Sequence, residues 1–426
     1  MTSTSRSAAD RPSAPAAGSI RRLPGVEGLR AIAAGSIVVY HAWLYSTPGG
    51  PLAYGGVAGT MLRSLALGVI LFFALSGFLL YRPFVAALAR DRERPSARSY
   101  LRNRALRILP AYWVILAVVA LVLDSAAVRD STGALITGEL AAPVPLAQAM
   151  LMVQGYRPAT VVTGIGPAWS LAVEAVFYLL LPVLAMGAAA IARRATSRRG
   201  RVLALLAPPL GLLLLGLSGK FVAAVIVPAP IDAGWDANWH SVIERSFWAQ
   251  ADLFAFGMVA AVAYVEIEDG RLRLFPNWRA AALGLALLIF LPCAATLEDG
   301  QLSYLPQNTG VALAAALFLA AVVVPERRPG RAALRRALEW RVLVAAGLAS
   351  YSLFLWHEPL VHWLRDHGLT LSGWGGLIVN VALIGVVAGA LSTVTYRFVE
   401  APALRHKRGA RGPREPMPPA QAESAP

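Results

Sequence analysis

Two ionisable side chains share one face of the first long apolar segment. Arg30 opens that segment, and His41 stands eleven positions later. Eleven helical steps of about 100° bring a side chain about 20° past three full turns, so the two are expected on one side, roughly 16 Å apart along the axis. Ionisable groups are costly in lipid and usually functional there, so this face offers a cation and a proton acceptor. The alternative is an arginine that snorkels at one interface and a histidine at the other.

A second cationic site is predicted where the third apolar segment begins. Arg104 and Arg107 are spaced i and i+3, which places both guanidinium groups on one side of a helix. Paired guanidinium groups suit phosphate through planar, bidentate hydrogen bonds. The other interpretation is a topogenic cluster that contacts anionic lipid.

Glu174 is predicted to be the acidic partner of His41. It lies about two turns inside an apolar helix that begins near residue 167, and a carboxylate at that depth requires a partner or a proton. His41, reached from the opposite side of the membrane, is expected at a similar depth. A Glu174–His41 pair would fix the imidazole tautomer and raise its basicity. A carboxylate that bonds another helix is the alternative.

Three further residues are candidates for a substrate passage. Ser76 interrupts an apolar run, Trp169 opens the segment that carries Glu174, and His357 precedes Glu358 and a proline. Helix packing for Ser76 and a structural interfacial histidine for His357 are the competing interpretations. His362 and His367 are expected to be bystanders. The histidines have no metal-ligand spacing, so no metal is predicted.

The composition defines the class of protein. The chain has 426 residues, of which 57% are hydrophobic and only 15% charged, and its mean hydropathy is +0.57. These values are typical of a multi-pass membrane protein. The net charge of +15 does not indicate nucleic-acid binding, because the basic residues lie between apolar runs. A single cysteine, Cys293, excludes a disulfide within the chain.

The predicted fold is all-α, a polytopic integral membrane protein of about ten transmembrane helices with both termini cytoplasmic. Arginine-rich linkers alternate with linkers that carry few cations, which fits an even number of spans. Residues 1–22 are predicted to be a disordered cytoplasmic tail, 23–402 a transmembrane domain and 403–426 a basic, then disordered, cytoplasmic tail. The predicted spans are 29–46, 65–85, 108–124, 167–187, 202–229, 246–265, 279–296, 308–324, 341–364 and 372–398.

Several stretches together resemble the acyltransferase family 3 membrane proteins, which move acyl groups onto sugars and other hydroxylated acceptors. The first is the arginine-to-histidine spacing of the first segment. The others are FFALSGFLL, RNRALRILPAYW, WSLAVEAVFY, SYSLFLWHEP and, at the end of the last span, YRFVEAP.

The resemblance implies roles for individual residues. It makes His41 the catalytic histidine, with Glu174 beside it, and Arg30, Arg104 and Arg107 the donor-binding cations. The chain departs from the family where Ala175 and Val176 replace a frequent acid and glutamine. Glu358 likewise replaces a common tryptophan.

The function predicted from these residues is membrane O-acyl transfer. A short acyl group would pass from cytoplasmic acyl-coenzyme A, a co-substrate and not a bound cofactor, to a hydroxyl of a carbohydrate or glycosylated acceptor. The expected location is the bacterial inner membrane. The outer linker 125–166 and residues 235–240 are candidates for acceptor contacts, and interfacial loops with a belt of tryptophans are the alternative. A proton-coupled transporter or flippase of a lipid-linked sugar, with His41, Glu174 and Asp252 as a relay, is the alternative.

Overall fold

The computed structural model describes residues 23–46, 56–230, 234–295, 305–325 and 333–406. The predicted N-terminal tail, residues 1–22, and most of the C-terminal one, 407–426, lie outside these ranges. So do three acidic residues that contributed to the charge alternation of the linkers, namely Asp232, Glu298 and Asp299.

The first half of the described chain contains seven α-helices and a short hairpin. Ser96 and Ser197 are the N-caps of α4 and α7, because each hydroxyl accepts a hydrogen bond from a backbone N–H of the first turn. The elements are α1 (Val26–Ser46), α2 (Gly56–Ser64), α3 (Gly68–Ala89), α4 (Ala97–Leu121), β1 (Ala126–Arg129), β2 (Leu135–Gly138), α5 (Pro143–Met150), α6 (Ala168–Arg194) and α7 (Arg198–Phe221).

The second half is helical throughout its regular elements. A π-helical turn, Val222–Ile226, extends α7, and another, Tyr396–Glu400, follows α15. The helices are α8 (Trp239–Glu244), α9 (Phe247–Gln250), α10 (Asp252–Glu268), α11 (Trp278–Ala295), α12 (Leu305–Val323), α13 (Ala333–Leu338), α14 (Arg341–Asp366), α15 (Gly373–Thr395) and α16 (Ala401–Arg405).

Helices occupy all ten predicted spans, and six continuous helical segments are long and apolar enough to cross a membrane. The chain is therefore a multi-pass membrane protein. The other four predicted spans correspond to α1, α10, α12 and α14, which are shorter or carry more polar residues. The count of ten and the cytoplasmic termini remain predictions. The six segments are Gly56–Ala89, Ala97–Leu121, Ala168–Arg194, Arg198–Ile226, Trp278–Ala295 and Gly373–Arg405.

The linker between α4 and α6 departs from the all-helical prediction. It contains the antiparallel pair β1–β2, in which Ala126 faces Gly138 and Arg129 faces Leu135. The turn is closed by Asp130, whose carboxylate accepts hydrogen bonds from the hydroxyl and backbone N–H of Thr132. These hydrogen bonds lower the pKa of Asp130. The linker is thus an ordered surface element.

Glycines allow two helix pairs to approach closely. A Cβ at Gly347 of α14 would lie 2.0 Å from the Glu27 carbonyl oxygen of α1. On the α3–α10 contact, a Cβ at Gly257 would lie 2.0 Å from the Ala74 carbonyl oxygen, and one at Gly77 would meet the Phe254 carbonyl. Helices in lipid have no hydrophobic driving force for association, so they depend on van der Waals packing. Small residues at such contacts allow this packing because they let the two backbones approach closely.

A polar cluster joins α7, α10 and α12 inside the bundle. Lys220 and Asp252, which are 4% and 0% exposed, form a salt bridge. Thr309 completes the cluster, accepting from Lys220 Nζ at 2.8 Å and donating to Asp252 at 2.5 Å. Asp252 therefore has its own partners, apart from His41.

Candidate active site

Four arginines line one cavity of about 550 Å³ between α1, α3, α4 and α14. Arg30 comes from α1, Arg82 from α3, and Arg104 and Arg107 from α4, while Glu27 is the acidic residue of the lining. The volume lies within the usual range for small-molecule sites. A cavity with this charge is suited to a ligand that carries several negative charges, such as the phosphates of a nucleotide.

The cationic cavity continues into a smaller and deeper one of about 110 Å³. Arg30, Arg104 and Arg107 line both cavities, together with Leu79 and Leu80. The deeper cavity has Phe72 and Phe354 on its walls, and its polar groups include Ser76, Ser350 and Glu174. It therefore leads from the arginines past two aromatic rings into the bundle.

The structure brings the three sequence-predicted arginines together and gives them different partners. Arg30 donates to Ser350 Oγ through Nε at 3.2 Å and Nη2 at 3.1 Å. Arg107 forms a salt bridge of 3.1 Å with Glu400, which is 1% exposed. Nε of Arg104 is buried and has no hydrogen-bond partner among the described residues. Arg104 is thus the guanidinium with most unused hydrogen-bonding capacity.

The structure does not pair Glu174 with His41, as the sequence had predicted, but gives each a different partner. Glu174 accepts a hydrogen bond from Ser76 and bonds Tyr178 one turn along α6. Its carboxylate also interacts electrostatically with Arg30. Because α6 presents this carboxylate to the deeper cavity, Glu174 is a counter-charge to the arginines, not a partner of the imidazole.

The partner of His41 is a second histidine, His357 of α14. His41 Nδ1 and His357 Nε2 are 2.8 Å apart, and the ring centroids are separated by 5.0 Å. His357 is fully buried. On the other side its ring lies 5.7 Å from that of Phe354, which lines the deeper cavity. The histidine pair therefore adjoins the apolar end of the passage from the arginines.

A carboxylate and a third histidine surround this pair. Glu358 is 7% exposed, bonds Tyr45 and lies 3.8 Å from Nε2 of His362. The His362 and Tyr45 rings are 4.3 Å apart, and the Tyr45 ring stacks on His41. His362 was expected to be a bystander, but it belongs to this cluster. His367 is exposed, as expected of a bystander.

The remaining candidates for a substrate passage are distributed between two places. Ser76 lines the deeper cavity, and His357 pairs with His41. Trp169 begins α6 and packs between Phe73 and the guanidinium of Arg245. Arg245 also lies 3.7 Å from the Trp235 ring centroid. Trp169 is thus part of an aromatic and cationic layer next to the histidine cluster.

Two residues at or beside the cavity are absent from the sequence-based prediction of the site. Arg82 lines the cavity, and its place at the same end of the bundle as Arg104 is a signal in the sequence. Glu400 lies in the YRFVEAP stretch, and its burial beside Arg107 could not be inferred from spacing. Within the described ranges, no group of three or more His, Cys, Asp or Glu side chains is arranged to hold a metal ion.

Comparison with known proteins identifies the family of this site and fold. The model of the family described as "Acyltransferase domain" matches residues 23–397. The chain therefore belongs to this family of acyl-transferring enzymes. No solved structure matches it.

Three curated relatives extend the comparison. "Nodulation protein 10" of Rhizobium leguminosarum bv. viciae is 32% identical over 169 residues, which are 37% of this chain and 42% of the relative. A Bacillus subtilis (strain 168) protein, provisionally named peptidoglycan O-acetyltransferase YrhL, is 24% identical over an alignment that covers 90% of this chain and 55% of the relative. "Acyltransferase MdmB" of Streptomyces mycarofaciens is 25% identical, and the alignment covers 90% of this chain and 92% of the relative. The chain thus covers about half the length of the first two.

Proposed function

We propose that this protein is an O-acyltransferase of the bacterial inner membrane that moves a short acyl group from acyl-coenzyme A to a hydroxyl of a carbohydrate or glycosylated acceptor. The observation that carries the proposal is the cavity in which Arg30, Arg82, Arg104 and Arg107 converge. Its deeper continuation is lined by Phe354, whose ring lies 5.7 Å from that of His357. The name of the B. subtilis relative supports a carbohydrate polymer as acceptor.

The donor would bind with its phosphates at the arginines. Arg104 and Arg107 would face them from α4 and Arg30 from α1, with the cavity mouth on the cytoplasmic side. The thioester arm would follow the deeper cavity past Phe72 and Phe354, whose apolar walls exclude water. The acyl carbon would then lie near the histidine pair, where a restricted and oriented approach would accelerate transfer.

His41 would then act as general base. It takes the proton of the acceptor hydroxyl while that oxygen forms a bond to the acyl carbon. The carbon–sulfur bond breaks, and the thiolate of coenzyme A takes up the proton, so His41 is regenerated. A histidine suits this role because it titrates near neutral pH. In this scheme Glu174 holds Ser76 and balances the arginine charge.

The test is the release of free coenzyme A by membranes that contain the protein. Acetyl-, propionyl- and longer acyl-coenzyme A are supplied with and without a crude glycan extract. Release that depends on both the extract and His41 supports the proposal. His41→Ala is expected to lower the rate by about 10²–10⁴, the usual contribution of general acid–base catalysis.

His367→Gln is the matched control, because this exposed histidine directly after α14 lies outside the cluster. The wild type and both variants are compared at equal protein levels in the membrane. If His41→Ala and the wild type release coenzyme A equally, His41 is not catalytic. If the wild type releases none from any donor, coenzyme A thioesters are not the substrate.

A further inference from the structure

The His41–His357 contact limits which nitrogen carries a hydrogen. The two facing nitrogens are 2.8 Å apart, so only one of them holds the shared proton. The backbone of Leu353 and Phe354 interacts with the His357 ring, and carbonyl oxygens can only accept a hydrogen. Nε2 faces His41, and Nδ1 is buried with no partner in ordinary hydrogen-bond geometry among the described residues. A hydrogen on that Nδ1 is therefore favoured, and Nε2 of His357 becomes an acceptor. His41 then donates from Nδ1, which leaves its Nε2 as the basic atom.

Among the described residues, Glu358 is the carboxylate that interacts with both rings of this pair and can balance the charge that develops on it. When His41 takes a proton, a cation forms beside the fully buried His357, where an unbalanced charge is costly. Glu358 interacts electrostatically with both rings.

The surroundings hold the Glu358 carboxylate in place. Tyr45 bonds it from α1, and His362 approaches it from the next turn of α14. Gly166, before α6, lies so close that a Cβ there would come within 2.8 Å of the carboxyl carbon. The other titratable or charged groups near this cluster are Tyr40 of α1, Arg365 of α14 and Arg245, which is paired with Glu244.

We propose that His357 and Glu358 are positioning residues for the base His41. His357 fixes the tautomer by accepting from His41 Nδ1, and Glu358 stabilises the positive charge that His41 and His357 share after proton uptake. The proposal rests on the proposed function, and it assigns to α14 the orienting role that the sequence had assigned to Glu174. No bond is made or broken by either residue.

Glu358→Gln is the first test, because it keeps the shape of the side chain and removes its charge. We expect kcat to fall by about 10- to 100-fold, a part of what acid–base catalysis contributes, with the donor KM unchanged. Without the carboxylate the pair takes up a proton less readily, so the acid limb of the pH–rate profile moves to lower pH. Glu358→Asp keeps the charge and is expected to retain much of the activity and the acid limb.

Two variants at His357 test whether this residue fixes the tautomer of His41. Glutamine places an amide oxygen where it can accept from His41 Nδ1, whereas methionine has no comparable acceptor. We therefore expect His357→Gln to be clearly more active than His357→Met at equal protein levels. Free coenzyme A is quantified in quenched samples, and His367→Gln again serves as control.

The outcomes separate this proposal from the proposed function. Wild-type kcat and pH profile in Glu358→Gln, alongside an inactive His41→Ala, would refute the role of Glu358 and leave the function standing. Equal losses in Glu358→Gln and Glu358→Asp, with an unmoved acid limb, would also refute it and indicate packing alone. Equal activity of His357→Gln and His357→Met would refute tautomer control. If the wild type has no activity that depends on His41, both proposals fail together.

Discussion

At the scale of single residues, the arginines of the cavity differ in what they are free to do. Arg107 is neutralised by Glu400, and Arg30 is held by Ser350, whereas Nε of Arg104 has no hydrogen-bond partner among the described residues. Because no salt bridge of Arg104 is seen within the described residues, it can bind a phosphate without first losing such a partner. Arg104 is therefore expected to contribute most to donor affinity.

Arg104→Gln should raise the donor KM by about 10- to 100-fold, because hydrogen bonds to charged groups contribute roughly 1.5–3 kcal/mol each. The acceptor KM should change little. Initial rates over a range of acyl-coenzyme A concentrations measure the effect. Arg102→Gln, an exposed arginine of the same helix, is the control. An unchanged donor KM in Arg104→Gln would remove the phosphate-binding role.

At the scale of elements, α1 and α14 form the unit that holds the proposed base and its partner. The two helices are parallel, because their contacts follow the same order along both chains. These contacts are Arg30 with Ser350, His41 with His357 and Tyr45 with His362. Gly347 sets the separation of the two helices near the arginines. The geometry of the histidine pair therefore depends on a backbone contact several turns away.

Gly347→Ala should destabilise the protein by about 1–3 kcal/mol, since overpacking a close contact forces the backbones apart. A loss of acyl transfer should accompany it. Gly35→Ala, on α1 itself, has open space around the added carbon and should stabilise the helix by about 0.5–1 kcal/mol. Thermal unfolding in detergent distinguishes the two. Equal midpoints in both variants would show that the close contact is not required.

At the scale of the whole molecule, a buried polar cluster ties the α7–α10–α12 side of the bundle together. Lys220, Asp252 and Thr309 each come from a different helix, and each of them bonds the other two. The transporter hypothesis needed Asp252 in a relay with His41 and Glu174, but the structure gives each of the three its own partners. The cluster is therefore expected to contribute to stability and not to proton transfer.

Lys220→Met should destabilise the protein by about 3–5 kcal/mol, because it leaves the Asp252 carboxylate buried and unpaired. The double variant Lys220→Met, Asp252→Leu should recover most of that loss, since no buried charge remains. Denaturant-induced unfolding in micelles gives both values. Should the double variant be no more stable than the single one, the cluster would have a role beyond charge pairing.

The sequence by itself determined the class of protein and the positions of the ten apolar segments, and it provided the candidate site residues. Composition and apolar length are local properties, and Arg30, His41, Arg104, Arg107 and Glu174 are noticeable because ionisable groups are rare in such segments. Helical periodicity also placed Arg104 and Arg107 on one side of α4, and both line the same cavity.

Only the tertiary structure decided which side chains meet. Periodicity fixes the face of one helix but not which neighbour that face contacts, so the depth of Glu174 suggested His41, while helix packing gave it Ser76 and Tyr178. The same limit concealed the His41–His357 pair and the Arg107–Glu400 salt bridge, whose members lie 316 and 293 positions apart. Close contacts at glycines such as Gly347 set these pairings, because they fix which helices lie side by side.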